Sequence, residues 1–239
     1  MNLGNPDRPV GGLSVPRPEG VEIRPLARDD FAHALALSRE LYGLPDADPE
    51  AHRPAFETLV NDPDATPFLA IADGAPAGLV VFRFRRRLNH ATFEGWVSDL
   101  VVSEPFRGRG IGRALMASVI AEWRLRGSHR IQLEVGADRT AARSLYEAMG
   151  FVEQGRYFEI GPAVPRSIGL QPGVEIRPIA DGDADFEATT RLLAELGRPA
   201  SSDEKLPALR RTYAQHVARS DTGSLLATLD GQAVGFISL

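Results

Sequence analysis

Residues 99–113 read DLVVSEPFRGRGIGR, and this stretch decides the fold. Leu100, Val101 and Val102 form a short apolar run with the character of a strand end. A loop follows in which Gly108, Gly110 and Gly112 alternate with Arg107, Arg109 and Ile111, and Arg113 comes next. Over residues 112–126, Leu115, Met116, Val119, Ile120 and Trp123 keep a helical period. A strand, a glycine-rich turn and a helix N-terminus aim several backbone N–H groups at one point, where an anion is favoured. Without a Cβ, the glycines let a phosphate approach the backbone. The loop reads as a candidate pyrophosphate cradle. It is not a Walker A loop, because no Gly-Lys-Ser/Thr follows, and it lacks the G-x-G-x-x-G spacing of a dinucleotide fingerprint. A tight strand-to-helix turn without a ligand is the plainer alternative.

Working outward, a strand is expected over residues 131–135, and Asp138 can cap a helix carrying Ala142, Leu145, Tyr146 and Met149 on one face. Gly150 ends that helix, and residues 151–160 read as extended. Upstream, VEIRPL from Val21 alternates like a strand. A helix runs from Asp29 or Asp30 to Leu41, and a second lies near residues 50–60. Residues 67–72 and 78–85 flank an Asp73-Gly74 turn, and residues 92–102 return over a loop at 86–90. Early hairpins followed by strand–helix–strand–helix–strand imply an α/β fold with a mixed, mostly antiparallel sheet flanked by helices.

Part of this pattern occurs twice. VEIRPLARDD at 21–30 and VEIRPIADGD at 174–183 agree at seven of ten positions. Asp73, Gly74 and Gly78 recur as Asp230, Gly231 and Gly235, each block after a short apolar run. The reading is a loose tail at 1–20, a complete domain at 21–162, a Pro/Gly-rich linker at 163–173 and a partial second module at 174–239 without a cofactor site. Leu225, Leu226, Phe236, Ile237 and Leu239 of that module need cover, from the complete domain or from a second chain in a homodimer.

Length and composition set the outer bounds. The 239 residues suit one or two domains at ~150 residues each. Lys plus Arg number 27 against 32 Asp plus Glu, a net charge of −5, which argues against a nucleic-acid partner. There is no cysteine, so disulfides, cysteine zinc sites and thiol nucleophiles are excluded, and a reducing, cytoplasmic location fits. No run approaches the ~18 apolar residues of a membrane span, and the first twenty residues lack the apolar core of a signal peptide. The five histidines show no ligand spacing, so no metal is expected.

The sequence closely resembles the GNAT superfamily of acyl-CoA-dependent N-acetyltransferases. That family's signature, Q/R-x-x-G-x-G/A opening a helix after a strand, is met by Arg107, Gly110 and Gly112. The segment LEVGADRTAARSLYEAMGF at 133–151 resembles its second signature, and the likeness covers about residues 21–160. The resemblance implies acetyl-CoA as acyl donor, with a small-molecule or peptide amine as acceptor. It implies that backbone groups of Leu100, Val101 and Val102 pair with the pantetheine arm. Backbone N–H groups of Arg107, Gly108, Arg109, Gly110, Ile111 and Gly112, with the Arg113 side chain, would hold the pyrophosphate. Tyr146 stands where many members keep the phenol that protonates the leaving thiolate. Arg139 replaces an Asn common in the family seven positions earlier.

An alkylamine has a pKa near ~10, so only about a thousandth of it is neutral at pH 7, and a proton must be removed. Glu134, Asp99 and Glu94, all on expected strands, are the candidate bases. Glu134 leads these carboxylates, because its spacing from Tyr146 is shared with family members that use a Glu–Tyr pair, although many members keep that Glu without using it as the base; proton removal by an ordered water or by the substrate itself is the alternative. A strand N–H of Val101 or Val102 would meet the oxyanion. The alternatives are a non-catalytic acyl-CoA-binding regulatory or scaffold domain, a structural domain with an empty cleft, and transfer of a longer acyl chain. Arg83, Arg85, Arg86 and Arg87 read as a solvated basic hairpin tip, and Trp96 and Trp123 as packing residues.

Overall fold

Alternation is the first rule the chain obeys: Val21 and Ile23 are buried while Glu22 between them is exposed. The computed structural model describes residues 18–43, 48–87, 90, 92–155, 172–196, 206–219 and 223–238. Two compact units emerge. The first runs β1 (Val21–Pro25), α1 (Phe31–Tyr42), α2 (Arg53–Asn61), β2 (Phe68–Ala72), β3 (Ala75–Arg86), β4 (Phe93–Val102), α3 (Ile111–Leu125), β5 (Arg130–Leu133) and α4 (Thr140–Ala148). Its five strands lie in the order β1-β2-β3-β4-β5. β1 and β3 pair antiparallel with β2, and β5 pairs parallel with β4, so the sheet is mixed.

Each face of this sheet has its own core. On one, Val21, Ile23, Ala70, Val80 and Phe82 meet Ile111, Leu115 and Val119 of α3 and Tyr146 of α4. On the other, Leu69, Leu79, Val81 and Val101 meet Phe31, Leu35 and Leu37 of α1 and Phe56 of α2. β2 is covered on both sides, which is why FLAIA is apolar without a break. The β2–β3 turn is closed by Asp73 and Gly74 at φ 53° and 76°, the left-handed pair a two-residue hairpin needs.

Several local expectations give way to a stronger partner. Asp30 precedes α1, yet its side chain does not cap that helix. It accepts two hydrogen bonds from the Arg24 guanidinium, at 2.6 and 2.8 Å, and one from the Ala27 N–H at 2.7 Å. Those bonds hold its carboxyl below the usual range, the Arg24 hydrogen bond contributing most. Asp138 does not cap α4 either: only its main-chain carbonyl bonds Thr140 N. β5 ends at Leu133, so Glu134 and Val135 lie beyond the strand. Residues 151–155 form no strand, and 156–160 lie outside the described residues, as do most of the expected tail and linker. The basic tip is partly tied down: Arg83 donates to Asp62 at 2.7 Å, and Arg85 stacks over Trp96 at 3.5 Å.

The second unit runs β6 (Val174–Pro178), α5 (Asp183–Glu195), α6 (Leu206–Val217), β7 (Ser224–Leu229) and β8 (Gln232–Ser238), with an antiparallel sheet in the order β6-β7-β8. Ile179, Phe186, Leu192, Leu209, Tyr213 and Leu226 form its core. Arg177 grips Asp185 through two bonds of 2.6 Å, and Asp185 accepts from Ala180 N at 2.8 Å. The ten-residue sequence match set Asp183 opposite Asp30. The fold instead gives that role to Asp185, two residues on, while Asp183 is exposed beside Arg210.

Candidate active site

The β4–β5 ladder runs only from Glu94↔Arg130 to Val97↔Leu133, while β4 continues five residues further, to Val102. The strand also changes step there. Phe93 and Val97 turn toward the α3–α4 core, and strict alternation would send Leu100 and Val102 the other way. Both instead pack on that same core, and Val101 joins the α1–α2 core. Past Val97 the two parallel strands therefore part. The edge formed by Leu100, Val101 and Val102 is left unpaired toward β5 and can accept an extended ligand arm.

At the end of that edge, a 3-10 turn (Glu104–Phe106) leads into the glycine loop. Gly108 and Gly110 have φ of 77° and 80°, a region costly for any side chain. A Cβ at Gly108 would meet nothing within 4 Å, so the glycine serves the backbone angle and leaves the surface open. Gly110 begins α3 without any side-chain cap, and the first turn's N–H groups stay available to an anion. A Cβ on Gly112 would lie 3.4 Å from Leu145 of α4 and 3.5 Å from Val102 of β4. The loop, the free strand edge and the helix that carries Tyr146 thus converge at one residue.

The charged side chains of the loop divide into two kinds. Arg107 donates to the Val102 carbonyl at 3.0 Å and to Glu40 at 3.1 Å. Arg109 donates to Asp73 at 2.8 Å. Arg113, on the first turn of α3, is exposed and forms no ion pair among the described residues.

Tyr146 is 8% exposed, packs its ring 5.9 Å from Phe151, and has its pKa raised by burial. It keeps its proton at neutral pH, as a general acid must. Leu133 and Val135 also turn into the α3–α4 core, so Glu134 between them points away from it and is exposed. Glu94 is a different case. It is fully buried and accepts from Arg130 at 2.6 Å and, with its amide turned, from Gln132 at 2.7 Å, so it braces the paired part of β4 and β5.

Asp99 accepts hydrogen bonds from Ser98 at 2.7 Å and from the Tyr42 hydroxyl at the end of α1. Burial and the neighbouring Asp99 push the Tyr42 pKa up to about 12. Neither Tyr42 nor Glu40 was expected from the sequence. They meet their partners across 57 and 67 residues, and nothing in a helix's last turn announces such reach.

A parted parallel strand pair, an uncapped glycine-lined helix N-terminus and a buried phenol thus lie together in the first unit. The model of the Acetyltransferase (GNAT) family matches residues 28–151. The chain belongs to that family, and is an acyltransferase of its class. It is similar to the aminoalkylphosphonate N-acetyltransferase of Salmonella typhimurium, 30% identical over 130 residues, covering 54% of this chain and 84% of that protein. It is also similar to glucosamine 6-phosphate N-acetyltransferase 1 of Oryza sativa subsp. japonica, 32% identical over 155 residues, with 59% and 88% covered. Among solved structures, the aminoglycoside N-acetyltransferase AAC(6')-Iy in complex with CoA aligns with a TM-score of 0.54 at 22% identity. That alignment covers 63% of this chain and 99% of that one.

Proposed function

We propose that residues 21–162 form a single-site N-acetyltransferase that moves an acetyl group from acetyl-CoA to a primary amine of a small molecule by direct attack. The observation that carries this reading is the free β4 edge running straight into the uncapped glycine loop. When bound, acetyl-CoA supplies a thioester carbon to the amine. Backbone groups of Leu100, Val101 and Val102 hold the pantetheine arm as an added strand. N–H groups of residues 108–112 hold the pyrophosphate, with Arg113 as counter-charge; the Arg107 N–H, expected among them, is instead bonded to the Glu104 carbonyl at 3.2 Å. Glu134, directly or through a water, takes the proton from the incoming ammonium. An N–H of Val101 or Val102 meets the carbonyl oxygen as charge develops on it. As the new C–N bond forms and the C–S bond breaks, Tyr146 would give its proton to the departing sulfur, and the second proton shed by the attacking nitrogen would restore the phenol.

The named relatives act on aminoalkylphosphonates and on glucosamine 6-phosphate, which supports a compact, polar amine as acceptor. We read residues 174–239 as a partial second module of the same kind, after a linker at 163–173 and with a tail at 1–20. The matching Arg–Asp clamps and Asp-Gly turns support this. The cysteine-free sequence fits a cytoplasmic location.

A thiol-release assay with acetyl-CoA tests the reading. The amines would be aminoalkylphosphonates, amino sugar phosphates, aminoglycosides, polyamines, amino acids and peptide N-termini. Release above the hydrolysis background is expected with at least one class. A folded chain that binds CoA yet releases no thiol with any of them would leave a binding module in place of an enzyme.

A further inference from the structure

The last turn of α1 reaches across to the segment that holds the cofactor. Glu40 Oε1 accepts from the Glu104 N–H at 2.7 Å and from Arg107 Nη2 at 3.1 Å. Ser103, which precedes the 3-10 turn at Glu104–Phe106, makes no side-chain cap bond. Glu40 supplies the missing cap from 64 residues away. The same guanidinium sends Nε to the Val102 carbonyl at 3.0 Å, so one arginine ties the end of β4, the turn and α1 together. Gly43 closes α1 in the left-handed region at φ 61°, its N–H on the Arg39 carbonyl, which fixes where that last turn stands.

A loop containing two left-handed glycines has many other conformations to choose from. Its N–H groups can bind a diphosphate well only if something outside the loop holds them in place. We propose that Glu40 is a positioning residue for the CoA cradle. In this arrangement the Arg107 side chain is the pin that joins Glu40 to the loop, its own N–H is held by the Glu104 carbonyl at 3.2 Å, and the phosphates are left to the N–H groups that follow it. The inference rests on the proposed CoA site. It assigns a role to a residue on the acceptor-side helix and changes the role of a residue in the signature itself.

The two roles for Arg107 make opposite demands on Glu40. If the guanidinium bound phosphate, Glu40 would compete for it, and Glu40→Ala would tighten CoA binding. If Glu40 positions the loop, Glu40→Ala loosens binding. Arg107→Ala then loosens it further, because it leaves the Glu40 carboxylate without its cation beside the diphosphate, held only by the Glu104 N–H. Removing both groups relieves that repulsion.

The experiment is calorimetric titration of the full chain with CoA. The chains are wild type, Glu40→Ala, Glu40→Gln, Arg107→Ala, Arg107→Lys and the Glu40→Ala/Arg107→Ala pair, each checked for an unchanged far-UV spectrum and melting temperature. Glu40→Ala is expected to weaken CoA about tenfold. Glu40→Gln, which keeps an accepting oxygen, should weaken it about twofold. The double variant should bind CoA more tightly than Arg107→Ala alone. Arg107→Lys cannot span both Val102 and Glu40 and should resemble Glu40→Ala. Tighter binding by Glu40→Ala, or losses in the double variant that multiply to about a hundredfold, would overturn the assignment. A wild-type chain without measurable CoA affinity would instead overturn the cofactor site on which it rests.

Discussion

The two units begin alike and end differently. In each, a VEIRP strand is followed by two helices and an antiparallel pair of strands closed by a left-handed Asp-Gly turn. Both carry the Arg–Asp clamp under the first helix, and both have a register shift in the second strand, at Ala70/Ile71 and at Ala227/Thr228. The helical face is packed in both: Phe31, Leu37, Leu69 and Leu79 correspond to Phe186, Leu192, Leu226 and Phe236. The opposite face is not. Val21, Ile23, Ala70 and Val80 are buried under α3 and α4, whereas the second unit, among its described residues, has no counterpart of those two helices for the corresponding face of β6-β7-β8. There Ile176 is 48% exposed, Val234 51% and Ile237 52%. One sheet face can be built from local repeats alone. The other needs α3, which is also the helix whose N-terminus closes the proposed cofactor cradle. In the first unit, the element that completes the core and the element that makes the proposed site are the same.

The largest test of this contrast is Tyr146→Phe. It removes one hydroxyl from a helix with no counterpart in the second unit, so nothing elsewhere can replace it. Turnover should fall ~10²–10⁴-fold with CoA affinity nearly unchanged. Turnover within twofold of wild type would mean that the thiolate leaves without this phenol.

Next comes the uncovered face. Ile23→Thr places a hydroxyl under α3 and should cost about 2–3 kcal/mol. Ile176→Thr, at the matching register position, should stay within about 0.5 kcal/mol. Denaturant unfolding, followed by hydrogen exchange resolved to each unit, measures both. Equal losses would show that the second face is covered in solution.

A smaller effect separates the units by ligand. Gly110→Glu puts a side chain and a negative charge where the diphosphate belongs, and should raise the CoA dissociation constant at least tenfold, about 1.4 kcal/mol. Calorimetry should also give a wild-type stoichiometry near one per chain. A value near two would place a second site in the second unit.

The smallest effect should be shared by both units. Asp30 and Asp185 have lowered pKa values, chiefly through their Arg24 and Arg177 hydrogen bonds. A carboxyl whose folded pKa lies below its unfolded value near ~3.9 stabilises the fold fully above that pH, and the gain is lost as pH falls through the folded pKa. Asp30→Asn and Asp185→Asn should each cost about 1 kcal/mol at neutral pH, because the partner arginines are partly solvated. Both variants should flatten the stability curve below about pH 4. A steep acid limb that survives in either variant would assign the acid sensitivity to other carboxylates.

The sequence by itself determined the elements whose signals are local. Helical period placed α3 and the apolar side of α4, and alternation with an Asp-Gly pair gave the β2–β3 hairpin. The glycine pattern marked the left-handed turn that leads into α3, because left-handed backbone and missing Cβ atoms are properties of the residues themselves. Tertiary structure decided what depends on distant partners. It recruited Asp30 and Asp185 to arginines and away from helix caps, since a charged donor outcompetes a backbone N–H exposed to water. It buried Glu94 with Arg130 and so separated one carboxylate from the others, a choice no spacing encodes. It parted β4 from β5 past Val97, and it brought Glu40 and Tyr42 to residues more than fifty positions away. Residue type and period travel with the chain. Which carboxylate meets which arginine is set only when the sheet and helices close on one another.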